Sequence, residues 1–213
     1  MKKILEGILQ DFAKNSKVFA KEAQFQFELA WELQKRVGVK YKVFLEYPCG
    51  KISYDIVLKS QEDKYIVIEL KYKTVASTYT TLDYGKLQLK NHAAQDLGRY
   101  DFLKDIERIE NWEQFSNGKS FEKGYAIFLT NDMLYLKDSL HINNNVKYKQ
   151  FCIGDSQITK GKKNWENGMS KTSCGKNRVH PITISKDYDV QWENYNYNVI
   201  GQPEFKYLII EIK

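Results

Sequence analysis

The chain has 213 residues, 42% of them hydrophobic and 28% charged, with a formal net charge of +6. That balance excludes wholesale disorder and suits one globular domain, with or without an appended lobe. The longest apolar run, Tyr125 to Leu129, is too short for a membrane-spanning helix. The cysteines (Cys49, Cys152 and Cys174) form no CxxC pair, which argues against a disulfide framework or a zinc knuckle and fits a reducing cytoplasm.

The start, Met1-Lys2-Lys3-Ile4-Leu5, begins like a signal peptide, but Glu6 and Asp11 interrupt the apolar stretch a signal needs. Ile4, Leu5, Ile8, Leu9 and Phe12 instead sit at helical spacing, which predicts a helix over Lys3 to Phe12. A second helix is expected from Val18 to Val37, stopped at Gly38. Three extended segments follow, Tyr41 to Tyr47, Ile52 to Leu58 and Tyr65 to Lys71, with turns at Pro48–Lys51 and Ser60–Lys64. Tyr72 to Leu89 reads as a long loop, Asn91 to Ile109 as a helix and Tyr125 to Thr130 as a buried strand. Lys147 to Ile153 and Tyr207 to Ile212 look like strands, separated by a mobile-looking loop over Gly154 to Asn177. The order implies an α/β core over residues 1–135, with a basic, β-rich part over 136–213 packed on it.

Familiar signatures are missing: there is no phosphate-binding P-loop, GxGxxG, HExxH or GxSxG. His92, His141 and His180 are scattered. What remains is Asp55 in the second strand and Glu69-Leu70-Lys71 in the third. Strand side chains alternate faces, so Glu69 and Lys71 point together while Ile66, Ile68 and Leu70 enter an apolar layer. Ile52, Ile56 and Leu58 would fill the same layer from the neighbouring strand, leaving Ser53, Asp55 and Val57 opposite. If the strands pair, the two carboxylates and the lysine converge. Two acidic oxygens suit Mg²⁺, with Mn²⁺ as a substitute. Glu-x-Lys is also a common surface pairing, so context must decide.

That context resembles the PD-(D/E)xK nuclease superfamily, whose fold is restriction-endonuclease-like: a mixed sheet flanked by helices. The resemblance spans Val18 to Thr130. It departs from the usual pattern in having Tyr54, not Pro, before Asp55. It implies a Mg²⁺-dependent nuclease with Asp55, Glu69 and Lys71 in the catalytic centre and the backbone carbonyl of Leu70 as a further metal contact. It also implies a metal-binding acid on the preceding helix. Taking Phe19, Ala23, Ala30 and Val37 as the core direction, Glu28 and Glu32 face solvent. Glu22 lies on the flank and is the assignment, although an acid near a helix start is also favourable in itself. On the next helix, His92, Gln95 and Arg99 share a stripe. Related nucleases often carry a Gln or basic residue there, which makes Gln95 a catalytic candidate and Arg99 a phosphate-binding one.

Between Val146 and His180 lie eight basic residues, Lys171 among them, against Asp155 and Glu166. Lys160, Lys162 and Lys163, with Tyr148, Phe151 and Trp165 nearby, suit contact with a nucleic-acid backbone and stacking on bases. A solvated basic loop has the same composition. The expected partner is therefore nucleic acid, DNA in particular, with no membrane and a homodimer left open. The competing expectations are a non-catalytic nucleic-acid-binding module on the same fold and a protein-interaction protein.

Overall fold

The computed structural model describes residues 1–81, 84–137, 146–166, 175–195 and 204–213. His141, Lys171 and Cys174 lie outside the described residues. Two helices come first, α1 (Lys2–Lys14) and α2 (Glu22–Val37), then strands β1 (Tyr41–Cys49), β2 (Ile52–Ser60) and β3 (Lys64–Lys73). A hairpin of β4 (Ser77–Thr81) and β5 (Gly85–Leu89) precedes α3 (Gln95–Glu110), the short α4 (Trp112–Ser116) and β6 (Ser120–Thr130). The rest comprises β7 (Gln157–Lys163), β8 (Ile182–Val190), β9 (Trp192–Asn194) and β10 (Lys206–Ile212). Short 3₁₀ turns lie at Met133–Leu136, Lys149–Phe151 and Lys176–Arg178. No helix among the described residues is long and apolar enough to cross a membrane.

The chain is thus mixed α/β. Six strands form one sheet in the order β1-β2-β3-β6-β10-β9. Neighbours are antiparallel except β3 and β6, which run parallel and are joined across α3. A parallel pair needs such a crossover, and a helix that buries one side supplies it. Both faces of the sheet are covered, which is why β3 and β6 read as nearly continuous apolar runs. Ile56, Leu58, Ile66, Ile68, Leu70, Ile127 and Leu129 pack under α1 and α2. Val57, Val67, Ala126, Phe128, Leu208 and Ile210 pack under α3 and the β7–β8 hairpin.

Several expectations need correcting. Tyr72 to Leu89 is not a loop: β3 continues to Lys73, and the β4–β5 hairpin buries Tyr79 and Leu89 against the α1–α2 side. Residues 91–94 are not helical. Thr74 donates its N–H to His92 Nδ1 at 3.0 Å, and His92 returns its own N–H to the Thr74 carbonyl at 2.7 Å. That bridge holds the segment extended, so His92 lies off the helix on which Gln95 and Arg99 stand. Lys147 to Ile153 holds a 3₁₀ turn rather than a strand, and the expected loop after Gly154 contains β7. In α2 the buried stripe is Phe25, Leu29, Leu33 and Val37, while Ala23 is exposed. Phe19 precedes the helix, so it could not set the helix's phase.

The alternation of β2 also breaks. Ile52 and Tyr54 pack on the α3 side with Val57, not in the layer of Ile56 and Leu58. The break falls at Asp55. β1 and β2 pair from Tyr41 to Leu45 and again from Tyr47, skipping Glu46 and Asp55, and Glu46 has φ of +46°. A left-handed residue in an edge strand bends it locally.

Candidate functional site

β2 and β3 pair from Lys59↔Tyr65 to Ile56↔Ile68 and then part. The next positions in that register are Asp55 and Glu69. Where the ladder opens, side chains replace it. The Asp55 carboxylate accepts the N–H of Leu70 at 2.6 Å, and the Glu22 carboxylate accepts that of Tyr72 at 2.6 Å. Gln26, one helical turn beyond Glu22, donates to the Asp55 carbonyl at 2.8 Å and to Glu46 at 2.7 Å. A backbone group that loses its strand partner must find another, and these polar side chains supply it. The same contacts fix α2 and β2 against the far end of β3.

Glu69 and Lys71 point toward α3, as their neighbours Leu70 and Tyr72 pack toward α2. Glu69 is 2% exposed. Lys71 Nζ lies 2.6 Å from Asp105 on α3 and donates to the Leu70 carbonyl at 3.1 Å. Arg108, one turn after Asp105, lies 3.0 Å from Glu69 Oε1 and 3.4 Å from Asp105 Oδ1. These groups line a cleft of about 580 Å³ with Asp55, Asp101, Lys104, Asn177 and Arg178. Arg178, from the 3₁₀ turn Lys176–Arg178, holds Asp101 through two bonds of 2.6 and 2.8 Å. The C-terminal part therefore forms one wall of the cleft.

Asp55, Glu69 and Asp105 line the cleft together with Lys71 and Arg108, and Glu22 lies near Lys71 from the α2 side. The electrostatics reflect the crowding of buried acids. Burial, with repulsion from Asp105 and Asp55, drives the Glu69 carboxyl well above the ordinary range. Burial raises Asp105 to about 6 against the pull of Lys71 and Arg108, and burial also raises Glu22. For Lys71, burial works to lower the pKa, but Asp105 and Glu22 outweigh it, and the ammonium is held above its usual value. Lys71 is thus a proton-bearing cation in this arrangement, not a free base.

The residues present fit a divalent cation. Glu69 Oε1 and Asp105 Oδ2 are buried and make no aligned hydrogen bond, although cations stand close to both. A hard cation takes carboxylate oxygens, and here it would replace Arg108 or Lys71 as their partner. Among the described residues, no three His, Cys, Asp or Glu side chains are gathered as a ready-made ligand set. Mg²⁺ commonly uses one or two carboxylates, with water and substrate phosphate completing its shell. Asp55, Glu69 and the Leu70 carbonyl are the groups that could hold it. Glu22 stands behind Lys71, with one oxygen committed to Tyr72.

The remaining sequence candidates are placed elsewhere. Gln95 donates to Asp132 at 2.8 Å and does not line the cleft. Arg99 is buried, donates to the Leu134 carbonyl, and lies over the rings of Tyr135 and Tyr148 at 5.2 and 5.1 Å. It is a core arginine, unavailable to a phosphate. Lys160 pairs with Asp187 at 3.1 Å, Lys162 is exposed, and Lys163 is half-buried, its pKa lowered by burial. Phe151 and Trp165 are buried against Tyr100 and cannot stack on bases.

The charged residues missed in the sequence are Asp101, Lys104, Asp105 and Arg108. They recur at helical spacing along one stripe of α3, and that periodicity was the available signal. Tyr54 ties β2 to this stripe. Its hydroxyl donates to the Arg108 carbonyl at 3.0 Å, and its ring lies 5.3 Å from the Arg108 guanidinium. Comparison with protein-family models, curated proteins and solved structures finds no match.

Proposed function

We propose that the chain is a Mg²⁺-dependent nuclease that hydrolyses phosphodiester bonds of nucleic acid, DNA in particular, on a restriction-endonuclease-like core. One observation carries the reading: Asp55, Glu69 and Lys71 meet at the point where β2 and β3 part, inside a cleft open to solvent. The run α2-β1-β2-β3-α3-β6, with its mixed sheet and flanking helices, supports the resemblance to PD-(D/E)xK nucleases.

When bound, Mg²⁺ would acidify a water and neutralise phosphate charge. The chain's own residues do the rest. Asp55 is fixed by the Leu70 N–H, so its carboxylate is oriented before any ligand arrives. Glu69 presents a buried carboxylate beside it. Lys71, held as an ammonium, aligns the attacking water through a donated hydrogen bond and offsets the charge that grows on the phosphate oxygens. Lys104 and Arg178 stand at the cleft as further cations, and the phosphate backbone would meet them first.

A second reading, a nucleic-acid-binding module without catalysis, is favoured by the pairing of Lys71 with Asp105 and of Glu69 with Arg108. Incubating purified protein with plasmid and single-stranded DNA, in Mg²⁺ or Mn²⁺ against EDTA, separates the two. The nuclease cleaves only with metal. The binding module retards DNA in gels and leaves it intact in every condition.

A further inference from the structure

Arg108 occupies an unusual position. Its Nη2 lies 3.0 Å from Glu69 Oε1 and also donates to the Ser53 carbonyl, and its Nη1 is 3.4 Å from Asp105. An arginine that anchors a carboxylate usually does so through two parallel bonds. Here Glu69 Oε1 has no aligned hydrogen bond, and Arg108 Nε is buried with no partner. The guanidinium neutralises charge without being locked to it. Its side chain is 24% exposed and opens on the cleft.

We propose that Arg108 is the resident counter-ion of Glu69, displaced when a divalent cation binds the acids, and that the freed guanidinium then takes an oxygen of the substrate phosphate. This rests on the nuclease reading above. The crowding of acids drives it: Glu69 is almost fully buried with Asp55 and Asp105 beside it in the cleft, and a divalent ion supplies positive charge where they meet. With that charge beside Glu69, a guanidinium 3 Å from the same carboxylate is repelled. Lys71 stays, because Asp105 holds it at 2.6 Å and the Leu70 carbonyl at 3.1 Å. Arg108 is the more exposed of the two cations, 24% against 15%, with its Nε unpartnered, and its planar fork matches a phosphate better than a lysine does. Its stacking on Tyr54 keeps it over the cleft after it leaves Glu69. The exchange also makes the acid-rich site tolerable before metal arrives, since a buried carboxylate without a counter-ion is strongly disfavoured.

Calorimetric titration of the full chain with Mn²⁺, without nucleic acid, tests the exchange. Arg108→Met is expected to bind Mn²⁺ at least about tenfold more tightly than wild type, because a competing positive charge is gone. Arg108→Lys, which keeps the charge and guards against a folding failure in the Met variant, should bind about threefold more tightly, because it loses the guanidinium's reach. Equal or weaker Mn²⁺ affinity in whichever variants fold overturns the proposal, as does an absence of Mn²⁺ binding in all proteins. The phosphate half is read from a fluorescent oligonucleotide. Adding Ca²⁺ should tighten its binding about tenfold in wild type and less than twofold in Arg108→Met. Undiminished coupling in the variant overturns that half. The nuclease reading is judged separately, on cleavage: a wild type that binds Mn²⁺ yet cuts nothing fails as a nuclease while the exchange still stands or falls on affinity.

Discussion

Asp105 shows how much of the site's chemistry lies outside the Glu-x-Lys strand. It takes the ammonium of Lys71 at 2.6 Å and borders Arg108, yet it stands 34 positions further along the chain, on a helix. Its burial raises its pKa to about 6, against roughly 3.9 for a free aspartate. The folded chain therefore keeps a proton that the unfolded chain gives up. Stability from this group is greatest below the unfolded value and is lost as pH rises from about 4 through about 6. Glu69, shifted in the same direction, adds to the loss. Urea midpoints of the metal-free protein should fall as pH rises from about 4 to about 6, and Asp105→Asn should flatten that fall. An unchanged slope in the variant would remove Asp105 from the cause. The shared face of Glu69 and Lys71 was legible from the strand period of β3, whereas Asp55 falls where the alternation of β2 breaks. Asp105 and Arg108 were not legible, because an aspartate and an arginine on a charged helix look like ordinary solvent-facing residues until the cleft is seen.

α3 is the element that closes the site, and its seating depends on small and buried residues. Gly124 in β6 carries no side chain because a Cβ there would overlap the Cγ2 methyl of Ile109. Gly124→Ala should push the helix off the sheet and cost about 1–3 kcal/mol, the usual range for overpacking a core. Denaturant midpoints measure it, and a neutral effect would mean that α3 has room to move. Arg99 holds the other end through Leu134 and two tyrosine rings. Arg99→Met should lower stability by about 1–3 kcal/mol, since a part-buried carbonyl loses its donor. It should leave the salt dependence of DNA binding unchanged, because Arg99 meets no phosphate. A shallower salt slope in that variant would restore the residue to the interface. α1 was read from its helical spacing, and β3 and the second half of β6 from short apolar runs. The β4–β5 hairpin was missed because Ser77-Thr-Tyr-Thr-Thr81 buries only Tyr79 and Thr81 and shows little apolar pattern. The start of α3 was misplaced because the Thr74–His92 bridge, a contact between segments 18 positions apart, overrides local helix preference.

The six-stranded sheet binds the two ends of the chain together. β10 pairs with β6 along its length and buries Leu208, Ile210 and Ile212 on the α3 side. A chain ending before Lys206 should lose cooperative unfolding altogether, and a retained sharp transition would show that the fold does not need β10. The C-terminal part also brings Asn177 and Arg178 to the cleft, so removing it would take a wall from the site as well. The basic stretch was legible as composition, but Phe151 and Trp165 are core, and the cation it brings to the cleft is Arg178 rather than a β7 lysine. The central claim is that the meeting of Asp55, Glu69 and Lys71 performs metal-dependent hydrolysis. Its most direct test is the rate of plasmid cleavage in Mg²⁺ by wild type and by Lys71→Ala, with DNA affinity measured alongside. Wild type should cut, and Lys71→Ala should bind DNA nearly as well but cut about a hundredfold more slowly or less, the scale of losing one such charge-stabilising donor. Equal cleavage by the two proteins, or no cleavage by wild type with any divalent metal, would contradict it.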